Sequence, residues 1–186
     1  MRKLSVFNNT SLDGFFTDAN NDMSWARAMD PEWHAFSEGN AGAMGDLLFG
    51  RITYELMARF WPTPMAKESN PVTAERMNRS LKIVFSKTMD QPSWSNTKVI
   101  GGDIAAAVRE MKQRPGGDMM ILGSGTIVSQ LTEAGLIDEY QIAVIPVVLG
   151  KGRTLFEGVT RKVRLKLTNS RTFANGNVFV RYEALR

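Results

Sequence analysis

The sequence contains no cysteine and only one histidine, His34. Without cysteine no disulfide and no cysteine-ligated metal can form, and one histidine cannot build a histidine-rich metal site within a single chain. A chain without cysteine fits a reducing compartment, so we expect a cytoplasmic protein. These absences exclude disulfide-stabilised folds and most zinc sites.

Long hydrophobic runs are also missing. No apolar stretch in the 186 residues is long enough to cross a bilayer, and Met1-Arg2-Lys3 leads directly into a strand pattern. We therefore expect neither a signal peptide nor contact with a membrane. The length fits one domain over residues 1–186, because no repeat, linker or low-complexity tract divides the chain.

Charge of one sign is not concentrated anywhere. The chain has 23 Lys and Arg against 19 Asp and Glu, a net charge of +4, and no basic run of five or more. Scattered basic residues do not favour nucleic-acid binding. The same charges suit a basic cleft for a phosphorylated small molecule.

Apolar strand patterns alternate with helical patterns along most of the chain. The patterns predict strands at 3–9, 46–49, 82–86, 98–100, 119–122 and 140–149, and helices at 31–44, 53–60, 71–79, 104–112 and 126–134. Residues 8–25 and 61–70 are predicted as loops, and Asn175-Gly176 marks a tight hairpin between two further strands. Such an order predicts an α/β layered fold, with helices on both faces of a mostly parallel sheet and an antiparallel C-terminal hairpin.

Two glycine-bearing turns, each leading from a strand into a helix, carry the strongest functional signal. They are Gly50-Arg51-Ile52-Thr53 and Gly123-Ser124-Gly125-Thr126. A turn of this kind directs free N–H groups and the positive end of a helix dipole at one point, which suits a phosphate. Two such turns predict a ligand with more than one phosphate, and hence a nucleotide cofactor.

Side chains near the turns strengthen this interpretation. Arg51 can hold a phosphate through two hydrogen bonds, and the Thr53 hydroxyl can cap the helix or donate. Ser86 and Lys87 follow the 82–86 strand at its carboxyl end and can receive the additional phosphate that distinguishes NADP from NAD. Ordinary strand-to-helix turns and a solvated lysine would produce the same patterns. Val128 stands where the Rossmann G-x-G-x-x-G pattern requires its third glycine, so that fingerprint is absent.

As a set, these segments resemble the dihydrofolate reductase fold, and within it the reductase domain of riboflavin biosynthesis. The resemblance spans nearly the whole chain. It is carried by Ser11-Leu12-Asp13-Gly14, Gly50-Arg51-Ile52-Thr53-Tyr54-Glu55, Phe85-Ser86-Lys87-Thr88, Leu122-Gly123-Ser124-Gly125, Leu136-Ile137-Asp138-Glu139 and Ile145-Pro146-Val147-Val148-Leu149-Gly150-Lys151-Gly152. The chain departs from the family in having Gly-Ser-Gly where three glycines are common.

The resemblance implies an NADPH site. Arg51 and Thr53 would meet the 2′-phosphate and the diphosphate, and Ser86 and Lys87 would flank the adenosine end. The residues Gly123, Ser124, Gly125 and Thr126 would hold the diphosphate at the start of their helix. Gly50 lets the backbone approach the ligand. The end of the first strand and residues 9–16 would lie beside the nicotinamide.

Hydride transfer needs a proton source close to the reacting carbon. Asp13, in the loop after the first strand, is the candidate catalytic residue, although a turn aspartate before Gly14 would look the same in sequence. Glu32 and His34, on the first long helix, are the alternatives to Asp13 as proton source and are also candidate substrate-binding residues. Trp25, in a polar loop, is expected to offer a flat wall to a heteroaromatic substrate.

These observations predict an NADPH-dependent reductase of a small, phosphorylated heterocycle. By resemblance, the reaction is reduction of 5-amino-6-(5-phosphoribosylamino)uracil. The lack of cysteine removes the zinc ligands of the accompanying deaminase domain, so a stand-alone reductase of another substrate stays open. Dihydrofolate reduction and a non-catalytic nucleotide-binding module stay open as well. The family also implies a homodimer, formed through the 140–149 strand or the C-terminal hairpin.

Overall fold

The structure is a computed structural model that describes residues 1–26, 30–42 and 45–185. Its strands are β1 Leu4–Ser11, β2 Phe15–Asp18, β3 Asp46–Gly50, β4 Lys82–Phe85, β5 Thr97–Ile100, β6 Met119–Leu122, β7 Glu139–Ile145, β8 Gly152–Thr154, β9 Leu165–Thr172 and β10 Val178–Ala184. Its helices are α1 Pro31–Gly42, α2 Arg51–Phe60, α3 Pro64–Ser69, α4 Pro71–Arg79, α5 Ile104–Gln113 and α6 Gly125–Glu133. The last two residues of the predicted helix over 31–44, Ala43 and Met44, lie outside the described residues.

Eight strands form one sheet in the order β5-β4-β3-β6-β1-β7-β10-β9. The first six in that order run parallel, whereas β10 pairs antiparallel with both β7 and β9. A separate two-stranded sheet joins β2 to β8. The predicted α/β fold, with its mostly parallel sheet and antiparallel C-terminal hairpin, is confirmed.

Helices cover both faces of the large sheet, because alternate residues of each strand point to opposite sides. Leu4 and Val6 of β1 lie in a core with Val108 of α5 and Leu131 of α6. Phe7, the next residue of β1, contacts cores on the other face. There α2 and α4 cover β3, β4 and β6, and α1 covers β7 and β10. The result is three layers, helix on sheet on helix.

The predicted loop over 61–70 is wrong in its second half, which forms α3. Thr63 precedes Pro64, and its side chain accepts a hydrogen bond from the Ala66 N–H at 3.2 Å. Proline suits the first position of a helix, and threonine is a favourable N-cap. The prolines of this segment therefore start a short helix and do not mark a continuous loop.

The predicted loop over 8–25 is also partly wrong. Strand β1 continues to Ser11, and β2 forms at Phe15–Asp18 by pairing with the distant β8. Strand β7 in turn ends at Ile145, before Pro146, and does not reach residue 149. Aspartate side chains cap two helices: Asp30 accepts from the Trp33 N–H at 2.7 Å and Asp103 from the Ala106 N–H at 3.1 Å.

No helix in the described part of the chain is both long and apolar enough to cross a membrane.

A buried lysine holds the carboxyl end of α4. Lys82 is fully buried at the start of β4, and its ammonium donates to the carbonyls of Met77 at 3.1 Å and Asn78 at 2.9 Å. The indole ring of Trp94 lies 4.5 Å from the same nitrogen. Helix-end carbonyls and an aromatic face both favour a cation. Burial opposes them and lowers the pKa of Lys82 from its ordinary 10.5 to about 8.

We expect Lys82 to make stability rise with pH between about 8 and 10.5. In that window the unfolded chain binds a proton that the folded chain has released, so raising the pH favours folding. Below this window the cost of burying the charge is fully present. The free energy of unfolding should increase by up to about 3 kcal/mol, and by less to the extent that the carbonyls and the ring hold the charge. Denaturant titrations of wild type and Lys82→Met at several pH values measure the effect.

Other titrating groups contribute to the same pH dependence, so the informative quantity is the difference in slope between wild type and Lys82→Met. Lys98→Met removes an exposed lysine from the neighbouring strand β5 and should keep the wild-type slope. Equal slopes for wild type and Lys82→Met would show that Lys82 stays charged in the folded protein.

Candidate functional site

The carboxyl ends of the parallel strands bring the predicted cofactor-binding residues to one edge of the sheet. Gly50 at the end of β3 pairs with Phe85 of β4, so the turn that holds Ser86 and Lys87 lies next to it. Strand β3 also pairs with β6 as far as Leu48 and Ile121, so the turns that start at Gly50 and Gly123 follow on neighbouring strands. Ligands of open α/β sheets bind at this edge.

The two glycine turns are in direct contact. The Gly50 N–H donates to the Ser124 hydroxyl oxygen at 2.8 Å. At Gly123, a Cβ atom would lie 3.0 Å from the Thr53 methyl carbon, and the backbone φ is +62°. Both the close approach and the left-handed backbone require glycine there. The starts of α2 and α6 therefore meet at one point of the edge.

Both helices begin with N–H groups directed at this point. Gly50 caps α2 without a side chain, and Ser124, in the left-handed region at φ 58° and ψ 61°, does not cap α6 because its hydroxyl is bonded to Gly50. In the described part of the chain, neither helix start thus has a side-chain cap. An uncapped helix start with its positive dipole end is suited to an anion.

The donor set fits a dinucleotide cofactor and not a metal. Two neighbouring helix starts without side-chain caps offer main-chain N–H groups to phosphate oxygens. The space that Cβ atoms would take at Gly123 and Gly125 is occupied by Thr53 and the Phe16 ring, so the glycines allow close packing around the turn. Among residues 1–26, 30–42 and 45–185, no three His, Asp or Glu side chains are grouped so that they could hold a metal ion.

The predicted cofactor-binding side chains differ in whether they already have partners within the protein. The Arg51 guanidinium pairs with Glu55 one turn along α2 at 2.8 Å. The Ser86 hydroxyl accepts from the N–H groups of Thr88 at 3.2 Å and Met89 at 3.1 Å, which shapes the turn after β4. Lys87 is exposed in that turn. A phosphate would thus compete with Glu55 for Arg51, whereas Lys87 faces solvent.

Asp13 joins two loops at the same edge. Its carboxylate accepts from the main-chain N–H of Leu149 at 3.1 Å and of Gly150 at 2.7 Å. Hydrogen bonds lower the pKa of the Asp13 carboxyl below its ordinary value. The bond from the Ser11 side chain has the largest effect, and the bonds from these two amides add to it. A carboxylate that is ionised and bonded in this way favours a positioning role for Asp13; its action as a catalytic residue stays a prediction.

The predicted substrate-binding residues each bind a different element. The Trp25 indole N–H donates to the Asp22 carbonyl at 3.1 Å, and the ring packs against the core under α1. Glu32 pairs with Arg171 of β9 at 2.7 Å. His34 forms a hydrogen bond of 2.6 Å with Asn70, at the start of α4. The structure places these three side chains around α1 but does not join them into one constellation, and their role stays a prediction.

Three residues that the sequence did not single out approach the Gly123–Thr126 turn. The Asn8 amide of β1 donates to the Gly123 carbonyl at 3.4 Å, the Phe16 ring of β2 lies against Gly125, and the Arg153 guanidinium of β8 is 3.5 Å from the Thr126 hydroxyl. Arg153 directly follows the glycine-rich segment that carries the resemblance. The place of Arg153 next to this segment was the only hint of its role in the sequence. The pairing of its strand β8 with β2 could not be predicted.

Fold and edge geometry together define a protein of the dihydrofolate reductase-like class. The chain belongs to the family described as the RibD C-terminal domain, which it matches over residues 2–179. Among curated relatives, the uncharacterized protein YyaP of Bacillus subtilis (strain 168) is 29% identical over 172 residues, which cover 92% of this chain and 89% of that protein.

Solved structures with the same fold include two reductases. The dihydrofolate reductase of Enterococcus faecalis complexed with NADP(H) has a TM-score of 0.65 at 15% identity, covering 99% of this chain and 97% of that one. The deaminase/5-amino-6-(5-phosphoribosylamino)uracil reductase of Thermotoga maritima has a TM-score of 0.66 at 16% identity, covering 99% of this chain and 57% of that one. At such identities the likeness shows the fold.

We expect Gly125→Ala to destabilise the protein, although alanine favours a helix. A Cβ at residue 125 would lie 2.6 Å from two atoms of the Phe16 ring, which is buried in the core and cannot move aside freely. The free energy of unfolding should fall by about 1–3 kcal/mol, as for other overpacked sites. Denaturant unfolding measures the change.

Gly39→Ala is the matched control, because a Cβ at Gly39 of α1 would meet nothing within 4 Å. It should stabilise the protein by up to about 1 kcal/mol. In a Phe16→Leu background the cost of Gly125→Ala should shrink. An undiminished cost in that background would show that the ring is not its cause.

Proposed function

We propose that the protein is a cytoplasmic NADPH-dependent reductase of a small heterocyclic substrate, with 5-amino-6-(5-phosphoribosylamino)uracil as the first candidate. Membership of the RibD C-terminal domain family supports an oxidoreductase with a role related to riboflavin synthesis. The bound NADP(H) of the Enterococcus enzyme, which shares the fold, supports a nicotinamide cofactor.

The observation that carries the proposal is the contact between Gly50 and Ser124. It places the starts of α2 and α6 at one point, where two sets of N–H groups can bind neighbouring phosphates. Thr53, Arg51 and Lys87 lie along this edge, on the way from β6 through β3 to β4. This order suits a cofactor whose diphosphate lies at the helix starts and whose 2′-phosphate lies toward β4.

Bound NADPH would supply the hydride. The chain's own residues would orient the two reactants and limit access of water. Asp13 holds the turn after β1 to the loop after β7, and this pair of loops borders the edge beside the helix starts. The positive charges nearby favour a phosphorylated substrate.

Folate receives no specific support from α1. Of its acidic residues, Glu32 pairs with Arg171 and Glu38 lies 4.0 Å from His34. A pteridine at Glu32 would have to displace Arg171, and Glu38 lies beyond hydrogen-bond distance of His34.

A homodimer, formed through the 140–149 strand or the C-terminal hairpin, is part of the proposal. Strand β7 is paired with β1 on one side and β10 on the other, so it has no free edge for strand pairing with a second copy. Strand β9 is the outer strand of the hairpin, and all eight of its residues are exposed. Its unpaired side is the available edge of the hairpin.

We expect NADPH to bind more tightly than NADH, and Arg51→Ala and Lys87→Ala to narrow the difference. Each substitution would remove a charge-assisted contact to the 2′-phosphate, which NADH lacks. The Kd for NADPH should therefore rise about tenfold, while the Kd for NADH should change little. Titrations followed by tryptophan fluorescence or calorimetry measure both constants. Arg59→Ala, at the exposed far end of α2, is the control.

Equal affinities of the wild type for the two cofactors would remove the assignment of Arg51 and Lys87. Turnover is tested separately, by loss of NADPH absorbance with the ribosylaminopyrimidine phosphate and with dihydrofolate in parallel. If NADPH raises the melting temperature but no substrate oxidises it, the result would favour a non-catalytic nucleotide-binding module.

A further inference from the structure

The two-stranded sheet β2–β8 lies over the start of α6. Phe16 of β2 packs its ring against Gly125, and Arg153 of β8 stands beside that ring, with its guanidinium carbon 5.8 Å from the ring centre. The same guanidinium lies 3.5 Å from the Thr126 hydroxyl, on the second residue of α6. A residue from a distant part of the chain thus brings a positive charge to the helix start.

This placement is electrostatically unfavourable in the protein alone. The start of a helix carries the positive end of its dipole and disfavours a neighbouring cation. The ion pair available to Arg153 is weak, because its Nε is 3.8 Å from a Glu157 carboxylate that is 69% exposed. An anion held between the guanidinium and the N–H groups of α6 would turn this repulsion into attraction on both sides.

We propose that Arg153 is a cofactor-binding residue whose guanidinium contacts the diphosphate, an inference that rests on the NADPH-dependent function proposed above. The position along the sheet edge selects the diphosphate over the 2′-phosphate. Arg51 and Lys87 lie at the β3 and β4 end, whereas α6 follows β6, whose other neighbour is β1. Arg153 therefore binds the part of the cofactor that NADPH and NADH share.

The discriminating measurement is the Kd of the full-length protein for NADPH and for NADH, in wild type and in Arg153→Ala. The inference predicts that Arg153→Ala raises both constants about tenfold and leaves their ratio unchanged. Arg153→Lys, which keeps the charge but loses the two-pronged geometry, should give a smaller loss. High salt should reduce the difference between wild type and Arg153→Ala.

Arg114→Ala is the matched control. Arg114 is an exposed arginine that follows α5 directly and pairs with Glu110 at the same four-residue spacing as Arg153 and Glu157. It should leave both constants unchanged. Melting temperatures of all variants establish that each is folded.

The outcomes separate the inference from the function on which it rests. If wild type binds NADPH and Arg153→Ala binds both cofactors within about twofold of wild type, Arg153 does not contact the cofactor, and the proposed function stands. If Arg153→Ala weakens the binding of NADPH but not of NADH, the guanidinium contacts the 2′-phosphate and the inference is overturned. A wild type that binds neither cofactor would overturn the proposed function, and the inference with it.

Discussion

The hydrogen bond from the Gly50 N–H to the Ser124 hydroxyl is the interaction on which the candidate site depends. Serine at the start of a helix ordinarily caps that helix with its side chain. Here the left-handed backbone of Ser124 turns its hydroxyl toward the neighbouring strand end, so the side chain joins two helix starts and caps neither. The same bond therefore does two things: it holds the starts of α2 and α6 together, and it leaves both starts without a side-chain cap.

Much of this arrangement was predictable from sequence, for identifiable reasons. Glycine at positions 50 and 123 marked strand-to-helix turns, and the parallel order of the strands required both turns to open at one edge. Side-chain alternation then set which residues enter which core. The contact through Ser124 was not predictable, because it depends on the register between β3 and β6, and a serine among glycines gives no signal of its partner.

Two of the errors have the same physical cause, which is that tertiary pairing decides structure where local patterns are weak. Strand β2 has four residues in a polar segment and exists because β8 pairs with it. The error at α3 has a local cause instead: the helix begins at Pro64, one of the two prolines that suggested a loop, and Thr63 caps it. Arg153 was overlooked for the same reason as β2, since its place beside α6 follows from the β2–β8 pairing and not from its own neighbourhood in the chain.

The distribution of charge gives the +4 net charge a specific meaning. Some basic side chains away from this edge have acidic partners, as Arg171 has Glu32 and Arg114 has Glu110. At the glycine turns, two helix starts, Arg51, Arg153 and Lys87 bring positive charge to one edge, where Glu55, Glu157 and the Asp13 carboxylate also lie. Phosphates of a single extended ligand would complete that balance, whereas a nucleic acid would need a continuous basic surface. The helix starts and cationic side chains at one edge, more than the total charge, therefore favour a phosphorylated cofactor and substrate.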